Sequence, residues 1–338
     1  MPSVHLLNVA PGDCTIIRHA SGHTTMIDIC DGYVEEETEL IKAAVDEAPG
    51  LRPRGNFRMC NTPTNPLAYA ERIGVDGIFR FILTHPDMDH LDGFDALLDQ
   101  FAVCNFWDTG VRRAKPDFAE HCTYREADWD RYVTVRDGEE EGVATGIRRA
   151  GAQFAFGNKN EKGEGGGDGL YILAPDRELV NNSQEDGDLN DSSYVILYRS
   201  SGGRVLLPGD AHDDTWDYVT KHYAKDVAGC SFMLALHHGR DSDREYEFLD
   251  HIRPTVTLIG CAPSEHIDYS QWRNRNLECF TSNQAGNVVL DIFGGQIDVY
   301  VENVTFAKAK RGDEASVKNS QGYAFLYSIS KVNAYLYY

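Results

Sequence analysis

The chain has 338 residues, of which 42% are hydrophobic, and a formal net charge of −21, so it can bury a large core as one or two α/β domains. It contains no run of about 18 apolar residues, so we expect no membrane-spanning helix and no membrane partner. The acidic balance argues against a large non-specific nucleic-acid surface, although a nuclease stays open because the ions of a metal pocket partly neutralise its carboxylates.

The N-terminus and the cysteines predict the compartment. Residues 1–10 have neither a basic region nor a long apolar stretch, so we expect no secretion signal. The eight cysteines stand singly, without a Cys-x-x-Cys pair, at positions 14, 30, 60, 104, 122, 230, 261 and 279. In a long chain without a signal, this spacing predicts reduced thiols in the cytoplasm rather than disulfides or zinc sites.

The N-terminal part of the chain predicts consecutive hairpins. Strand-like segments at residues 4–8 and 14–18 flank the turn signature Ala10-Pro11-Gly12-Asp13, and residues 24–29 form a third strand. The next segments are predicted as a helix, an irregular loop and a short helix, over residues 35–48, 51–66 and 67–73.

The most informative stretch joins a buried strand to a cluster of potential metal ligands. Residues 79–83 form a short apolar run that Pro86 ends, which predicts a buried strand. His85, Asp87, Asp89 and His90 follow within six positions, and residues 91–100 have the apolar spacing of a helix. Aspartates in turns often only cap helices, but two His and two Asp in this spacing favour a metal site.

The middle of the chain predicts a strand, a mixed segment and two loops. Residues 103–107 are strand-like, and residues 110–150 are charged, aromatic and helical in parts. The glycine-rich residues 157–169 predict a flexible loop, either a mobile lid or a plain disordered insertion. Residues 170–173 form a strand, and residues 177–189 form an acidic loop.

Three later apolar strands end in potential ligands. Residues 204–207, which form a hairpin with residues 193–198, run into Asp210. Residues 232–236 run into His237 and His238, and residues 256–260 precede His266. Several strands that carry Asp and His to their carboxyl ends predict an open α/β active site. Further strands are expected at residues 279–282 and 287–292, and the alternating aromatics of the tail predict one or two more, which would cover a sheet edge or pair with another subunit.

These motifs, in this order, resemble the metallo-β-lactamase superfamily of metal-dependent hydrolases. The resemblance covers about residues 4–295 and includes Gly12-Asp13, the strand ending in Asp28, residues 85–90, Pro208-Gly209-Asp210 and His237-His238-Gly239. Asp87, where the superfamily usually has His, and residues 190–195 are similar to the hydrolase domain of ComEC-type DNA-uptake proteins and its free-standing soluble relatives. The resemblance implies an α/β fold, a four-layer αββα sandwich. It implies a hydrolase domain over residues 1–298 with an insertion at about 108–169, and a β-rich extension over residues 299–338.

The resemblance also implies a centre with two divalent ions. One ion would take His85 and Asp87 and the other Asp89 and His90, with Asp210 as the bridge and His237 or His238 completing a site. We assign the metal ligands as His85, Asp87, Asp89, His90, Asp210 and His237, and catalytic roles to Asp89, Asp210 and His238. The Asp87 carboxylate adds hard oxygen, which favours Mn²⁺ first, with Zn²⁺ as a competitor and Mg²⁺ as a further candidate.

One expected ligand has no counterpart. The superfamily usually supplies a third His to the first ion between the central motif and the bridging Asp, and only His121 lies in that interval. Asn190 or Asp191 could substitute for it. Asp28 and His212 are expected to support the ligands without binding the ions. His266 either contacts the substrate or caps a turn.

The same type of site hydrolyses several bonds, so the substrate is a separate question. We expect a metal-activated water to cleave a phosphodiester, as in a phosphodiesterase or nuclease. The net charge and the few basic groups, which include Arg112 and Arg113, favour a single strand, a short oligonucleotide or a nucleotide as the partner. The alternatives are hydrolysis of a lactone, thioester or lactam, and a non-catalytic metal-binding sensor or partner subunit.

Overall fold

The computed structural model describes residues 1–35, 55–119, 123–240, 244–262, 267 and 269–331. The predicted helix over residues 35–48 falls almost wholly outside these ranges, as do His121, Cys122, His266 and the tail from residue 332.

In the part of the chain that the structure describes, fifteen strands form two sheets. In chain order they are β1 (Ser3–Leu6), β2 (Thr15–Arg18), β3 (Thr24–Ile27), β4 (Arg80–Ile82), β5 (Asn105–Asp108), β6 (Ala144–Ile147), β7 (Leu170–Ala174), β8 (Val195–Arg199), β9 (Arg204–Leu207), β10 (Phe232–Leu234), β11 (Val256–Ile259), β12 (Cys279–Thr281), β13 (Val288–Phe293), β14 (Gln296–Val301) and β15 (Ala324–Ser330). The first sheet has the order β15-β14-β13-β1-β2-β3-β4-β5-β6 and the second the order β12-β11-β10-β9-β8-β7. Strands β3 to β6 run parallel, as do β9 to β12, so the carboxyl ends of each group lie at one edge.

Most of the helices pack on the outer faces of the sheets, whereas the last two contribute Ala285, Phe306 and Ala307 to the layer between them. In chain order they are α1 (Pro66–Arg72), α2 (Phe94–Gln100), α3 (Glu126–Arg136), α4 (Arg177–Asp186), α5 (Asp213–Val227), α6 (Phe248–Ile252), α7 (Tyr269–Asn274), α8 (Ser282–Ala285) and α9 (Val304–Arg311). Helix α1 begins at Pro66 because the Asn65 side chain accepts hydrogen bonds from Leu67 N (2.9 Å) and Ala68 N (3.2 Å).

Strand alternation divides the core into three apolar layers. Ile82 of β4 packs between the sheets with Ile196 and Phe232 of the second sheet. Its neighbour Phe81 faces the other way, in the layer that also contains residues of α2 and α3. Leu206 of β9 faces a third layer, with residues of α5, α6 and α7. Burial of each large apolar side chain contributes about 1.5–3 kcal/mol. The predicted four-layer αββα arrangement is confirmed.

The acidic segment at residues 177–189 was predicted as a loop, and this prediction is wrong, because residues 177–186 form helix α4. The Asp176 side chain caps the first turn by accepting from Leu179 N at 2.9 Å. Gly187 ends the helix with φ 79°. Leu179, Val180 and Ser183 are the buried residues, so a narrow apolar stripe is enough to fix an otherwise charged helix.

The glycine-rich segment at residues 157–169 is anchored to the first sheet, which differs from the expected flexible loop. Asn158 Nδ2 donates to Ala152 O at 2.7 Å. At the other end, the Asp168 carboxylate accepts from Ser21 Oγ at 2.6 Å and pairs with the buried Arg80 guanidinium at 2.9 Å. A buried charge pair is costly to break, so composition alone misjudges this segment.

Cys60 and Cys261 form a disulfide across 201 residues of sequence, with a Cα–Cα distance of 6.2 Å. The prediction of reduced thiols is therefore wrong for this pair. The two cysteines meet because the segment after β11 passes the 3-10 turn Met59–Asn61, a contact that sequence spacing does not reveal. The cytoplasmic location, which depended on reduced cysteines, stays a prediction.

The C-terminal residues continue the first sheet. Strand β15 pairs with β14, and the predicted division at residue 298 falls inside β14, so that division stays a prediction. Within the described ranges, no helix is long and apolar enough to cross a bilayer.

A buried neutral histidine predicts acid sensitivity of the fold. His5 is 1% exposed, and burial, with a smaller effect from Arg18, lowers its pKa to about 3. The unfolded chain binds a proton there below about pH 6.5, whereas the folded chain does not, so stability falls as the pH falls. We expect His5→Gln to reduce the slope of the unfolding free energy between pH 6 and 4 by about 1.4 kcal/mol per pH unit. Chemical denaturation at several pH values measures this slope, with exposed His251→Gln as the control; an unchanged slope in His5→Gln would contradict the prediction.

The disulfide predicts a second change in stability. We expect the double variant Cys60→Ser, Cys261→Ser to lose about 2–5 kcal/mol of unfolding free energy, because the bond closes a long loop in the unfolded chain. Denaturant titration under non-reducing conditions measures the loss, and Cys104→Ser, at an exposed free cysteine, is the control. Equal stability of the double variant and the wild type would show that the bond contributes nothing.

Candidate metal centre

The predicted ligands meet where the strand ends of the two sheets face each other. Asp28 follows β3, and residues 85–90 follow β4, its parallel neighbour in the first sheet. Asp210 follows β9, and His237 and His238 follow β10, its parallel neighbour in the second sheet. The parallel arrangement thus brings side chains from four strands to one edge.

Two glycines permit the close approach of these segments. Gly12 has φ 143°, and a Cβ there would lie 2.2 Å from Asp89 O. Gly209 has φ 52°, and a Cβ there would lie 2.9 Å from the Thr84 Cβ. Only glycine fits such positions without displacing the backbone. The turn that carries Asp13 and the turn that carries Asp210 can therefore pack directly on the central motif.

Asp89, His90 and His238 form one group of potential ligands, and Asp210 lies beside it. The His90 Nε2 atom lies 3.5 Å from Asp210 Oδ1 and 4.0 Å from Asp89 Oδ1. The His238 Nε2 atom lies 3.5 Å from Asp89 Oδ2 and 3.7 Å from Asp210 Oδ2. These separations are long for hydrogen bonds. They are in the range of pairs of ligand atoms that share one ion, because two ligands at about 2.1 Å from a tetrahedral ion lie about 3.4 Å apart.

Buried atoms without partners test whether a cation fits. His85 Nε2, His90 Nε2, His238 Nε2 and Asp210 Oδ1 are buried and have no hydrogen-bond partner among the described residues. Each such atom costs about 1–3 kcal/mol if nothing compensates it. The potential ligand groups His85–His90–Asp210 and Asp89–His90–His238 both lie here. A divalent cation would satisfy these atoms together, so the residues fit the predicted metal.

Carboxylates behind the histidines orient them. His90 Nδ1 lies 2.8 Å from Asp28 Oδ2, and His238 Nδ1 lies 3.1 Å from Asp13 Oδ1. An ionised carboxylate can only accept, so each Nδ1 donates and each Nε2 atom faces the centre. Asp28 also accepts from Thr84 N at 2.8 Å and Thr84 Oγ1 at 2.7 Å, so it supports the centre as expected rather than binding in it.

The charges around the two central histidines alter their pKa values. Burial lowers the pKa of His238, but the carboxylates of Asp210 and Asp13, with Asp89, outweigh burial and raise the pKa to about 10. Burial also lowers the pKa of His90, but the charges of Asp210 and Asp28 outweigh burial and raise the pKa well above its usual range. A cation that binds here must therefore replace protons.

A second position lies next to His85, which forms a group of three potential ligands with Asp210 and the shared His90. His85 Nε2 lies 3.8 Å from Asp210 Oδ2 and 3.9 Å from Asp87 Oδ2. The other Asp87 oxygen is in direct contact with the Arg113 guanidinium. Among the described residues, Asp87 belongs to no group of three potential ligands within 4.8 Å. The residue proposed from the sequence as a third ligand, Asp191, instead caps α5 by accepting from Thr215 N.

His237 and His238 have different environments. Both have left-handed backbone conformations, with φ 45° and 57°, which are strained for residues other than glycine. The His237 Nε2 atom lies 3.6 Å from Asp210 Oδ2, whereas Arg244 donates to its Nδ1. Because Nδ1 accepts, the neutral ring carries its proton on Nε2. The structure therefore favours His238 over the assigned His237 as a ligand, and the sequence had left this choice open.

A cavity of about 580 Å³ opens in front of Asp87 and Asp89. It combines apolar and cationic walls, which include Pro11, Met88, Tyr124, Arg113, Arg240 and the Cys60–Cys261 disulfide. The glycine-rich residues 157–169 are not among its described lining residues. The Gly-Asp turn in the sequence points to Asp13, but no local pattern indicates Arg244 or the contact of Arg113 with Asp87.

Several solved structures are similar to the chain. No protein-family profile and no curated protein matches it. The chain is similar to CmlA, a diiron beta-hydroxylase from Streptomyces venezuelae (TM-score 0.43, 12% identity, 86% of this chain and 54% of that one). It is also similar to a diphosphatase of the PhnP family (0.42, 11%, 86% and 98%) and to Tm1679, a metal-dependent hydrolase of the beta-lactamase superfamily (0.44, 11%, 87% and 100%). The chain thus spans about half the length of CmlA.

The carboxylate behind His238 predicts an effect on metal affinity. We expect Asp13→Asn to weaken binding of a divalent ion by about 10–100-fold, because the imidazole loses its charged acceptor. Competition with a chelating dye measures the affinity, and Asp298→Asn, at a buried carboxylate of β14, is the matched control. Equal affinity of Asp13→Asn and the wild type would contradict the proposed role of Asp13.

Proposed function

We propose that the protein is a metal-dependent hydrolase that cleaves a phosphodiester in a short or single-stranded nucleic acid or in a nucleotide. The observation that carries this proposal is the set of four buried, unpartnered donor atoms, from His85, His90, His238 and Asp210, beside an open cavity. The order of motifs, similar to that of the metallo-β-lactamase superfamily and its ComEC-type branch, supports it. We propose two divalent ions, with Mn²⁺ as the first candidate.

Two sets of residues build the centre: the side chains that would hold an ion and the carboxylates that orient them. Asp89, His90, His238 and Asp210 would hold an ion, which supplies an activated water and polarises a phosphoryl oxygen. Asp28 and Asp13 keep the imidazoles of His90 and His238 in the orientation that binding requires. These ligands sit on strand ends and tight turns, so the centre is rigid before substrate binds.

The cavity supports an anionic substrate with an apolar part. Arg113 and Arg240 contribute positive charge to its wall, in a chain whose formal net charge is −21. Guanidinium groups match the oxygens of a phosphate group. Met88 and Tyr124 line the same cavity and can pack against a base or another ring. This combination favours a phosphodiester over a neutral lactone, thioester or lactam.

One observation favours a second candidate function, a non-catalytic metal-binding sensor or partner subunit. Asp87 is already paired with Arg113, and among the described residues it belongs to no group of three potential ligands. A protein that binds one ion without turnover would have the same features.

Hydrolysis of model substrates tests the proposal. We expect the purified protein with Mn²⁺ to cleave bis(p-nitrophenyl) phosphate and not nitrocefin. Asp210→Asn replaces a charged ligand by a neutral amide and should reduce the rate of hydrolysis by more than about 100-fold. This is a larger loss than the roughly 10–100-fold that is typical when a residue that only orients a ligand is changed. Asp291→Asn, at a buried carboxylate of β13, is the matched control. Metal binding without cleavage of any ester would favour the sensor or subunit, whereas cleavage of nitrocefin alone would favour a lactam hydrolase.

A further inference from the structure

We infer that Arg113 is a built-in competitor for the second ion, so that the centre binds one divalent ion tightly and a second one weakly. This inference rests on the proposed metal centre. It concerns the occupancy of the second position and does not depend on which ester the protein cleaves.

The two positions differ in their ligands. The first combines Asp89 with His90 and His238, and carboxylates orient both of these imidazoles. The second combines His85 with Asp210 and must share His90 with the first, so the ligand that only it can use, besides His85, is one oxygen of Asp87. Ion affinity depends on the number of ligands and on how firmly they are held. The first position should therefore fill first.

The positive charge of Arg113 already neutralises Asp87, a ligand that only the second position can use. Its guanidinium contacts Asp87 Oδ1, while Asp87 Oδ2 is the oxygen that faces His85. Arginine stays protonated at any working pH, so this charge cannot be removed by a proton shift. A second ion must displace the guanidinium or bind beside it against charge repulsion, and either route weakens its binding.

The backbone around Arg113 holds it near Asp87. The preceding residue, Arg112, donates its N–H to Gln184 Oε1 at 2.7 Å, and Gln184 Nε2 donates to Arg112 O at 2.8 Å. These two bonds attach the segment to helix α4. Val111, which is 1% exposed, anchors it from the other side. Arg113 is thus presented to the centre by an attached segment, although its side chain is 36% exposed at the cavity.

The pair of Asp87 and Arg113 is partly exposed, so an ion or a phosphate in the cavity can reach it. The Asp87 side chain is 30% exposed, whereas His85 and Asp210 are at 0% and 4%. A substrate phosphate that enters the cavity meets the guanidinium at this point. The centre can therefore present a second positive charge to a phosphate oxygen without a second ion.

Metal stoichiometry of the full chain tests the inference. Isothermal titration with Mn²⁺, together with elemental analysis after desalting, is carried out on the wild type, Arg113→Met, Arg113→Lys and Arg112→Met. We expect the wild type to retain about one ion, and Arg113→Met to bind a second ion at least about tenfold more tightly than the wild type does. Electron paramagnetic resonance at saturating Mn²⁺ should show a spin-coupled pair more fully in Arg113→Met.

The other variants separate charge from structure. Arg113→Lys keeps the charge and should stay close to the wild type, and Arg112→Met, which changes the neighbouring arginine, should leave both affinities unchanged. In an Arg113→Met, Asp87→Asn double variant, the gain in affinity for the second ion should disappear. If Arg113→Met does not fold, Arg113→Gln, which also removes the charge but keeps a polar side chain, is titrated in its place with the same expected gain for the second ion.

Two results would overturn the inference: two equally tight ions in the wild type, or no gain for the second ion when Arg113 is neutralised. Absence of any bound ion would overturn the proposed centre as well. Ion binding as expected, without cleavage of a phosphodiester, would overturn the proposed reaction and leave the inference standing.

Discussion

The carboxylate of Asp28 is the interaction on which the centre depends. It accepts from the backbone and hydroxyl of Thr84 and from the ring of His90. The first two bonds fix the end of β4 against β3, and the third fixes the imidazole that faces Asp210. Thr84 Oγ1 lies 3.2 Å from His85 Nδ1, so the same carboxylate indirectly orients a second imidazole. One buried anion thereby sets the direction of two strand ends and two potential ligands.

The location of the centre follows from how two sheets can be joined. Each sheet contributes a parallel pair of strands, β3 and β4 in one and β9 and β10 in the other. Their apolar side chains pack between the sheets, and their carboxyl ends leave polar turns at one edge. The strained backbone of His237 and His238 belongs to such a turn. Strain of this kind persists only where the surrounding packing is strong enough to hold it.

Much of this arrangement could be predicted from the sequence, because it is encoded locally. Apolar runs predict β4, β9 and β10, and the residues that follow each run predict the metal centre. Helix α4 could have been predicted from its caps, Asp176 and Gly187, but its charged composition concealed it. The Cys60–Cys261 bond and the contact between Arg113 and Asp87 join segments that are distant in sequence. Such contacts form only in the completed fold, so no local sequence pattern predicts them.

The disulfide also bears on how the cavity receives a ligand. Cys60 lies in the turn Met59–Asn61 and Cys261 follows β11, so the covalent bond joins two segments that are distant in the chain at the cavity wall. A wall that is closed by a covalent bond has less conformational freedom to lose when a ligand binds. The cavity is therefore expected to select ligands by shape, because a rigid wall cannot adapt to a ligand that fits poorly.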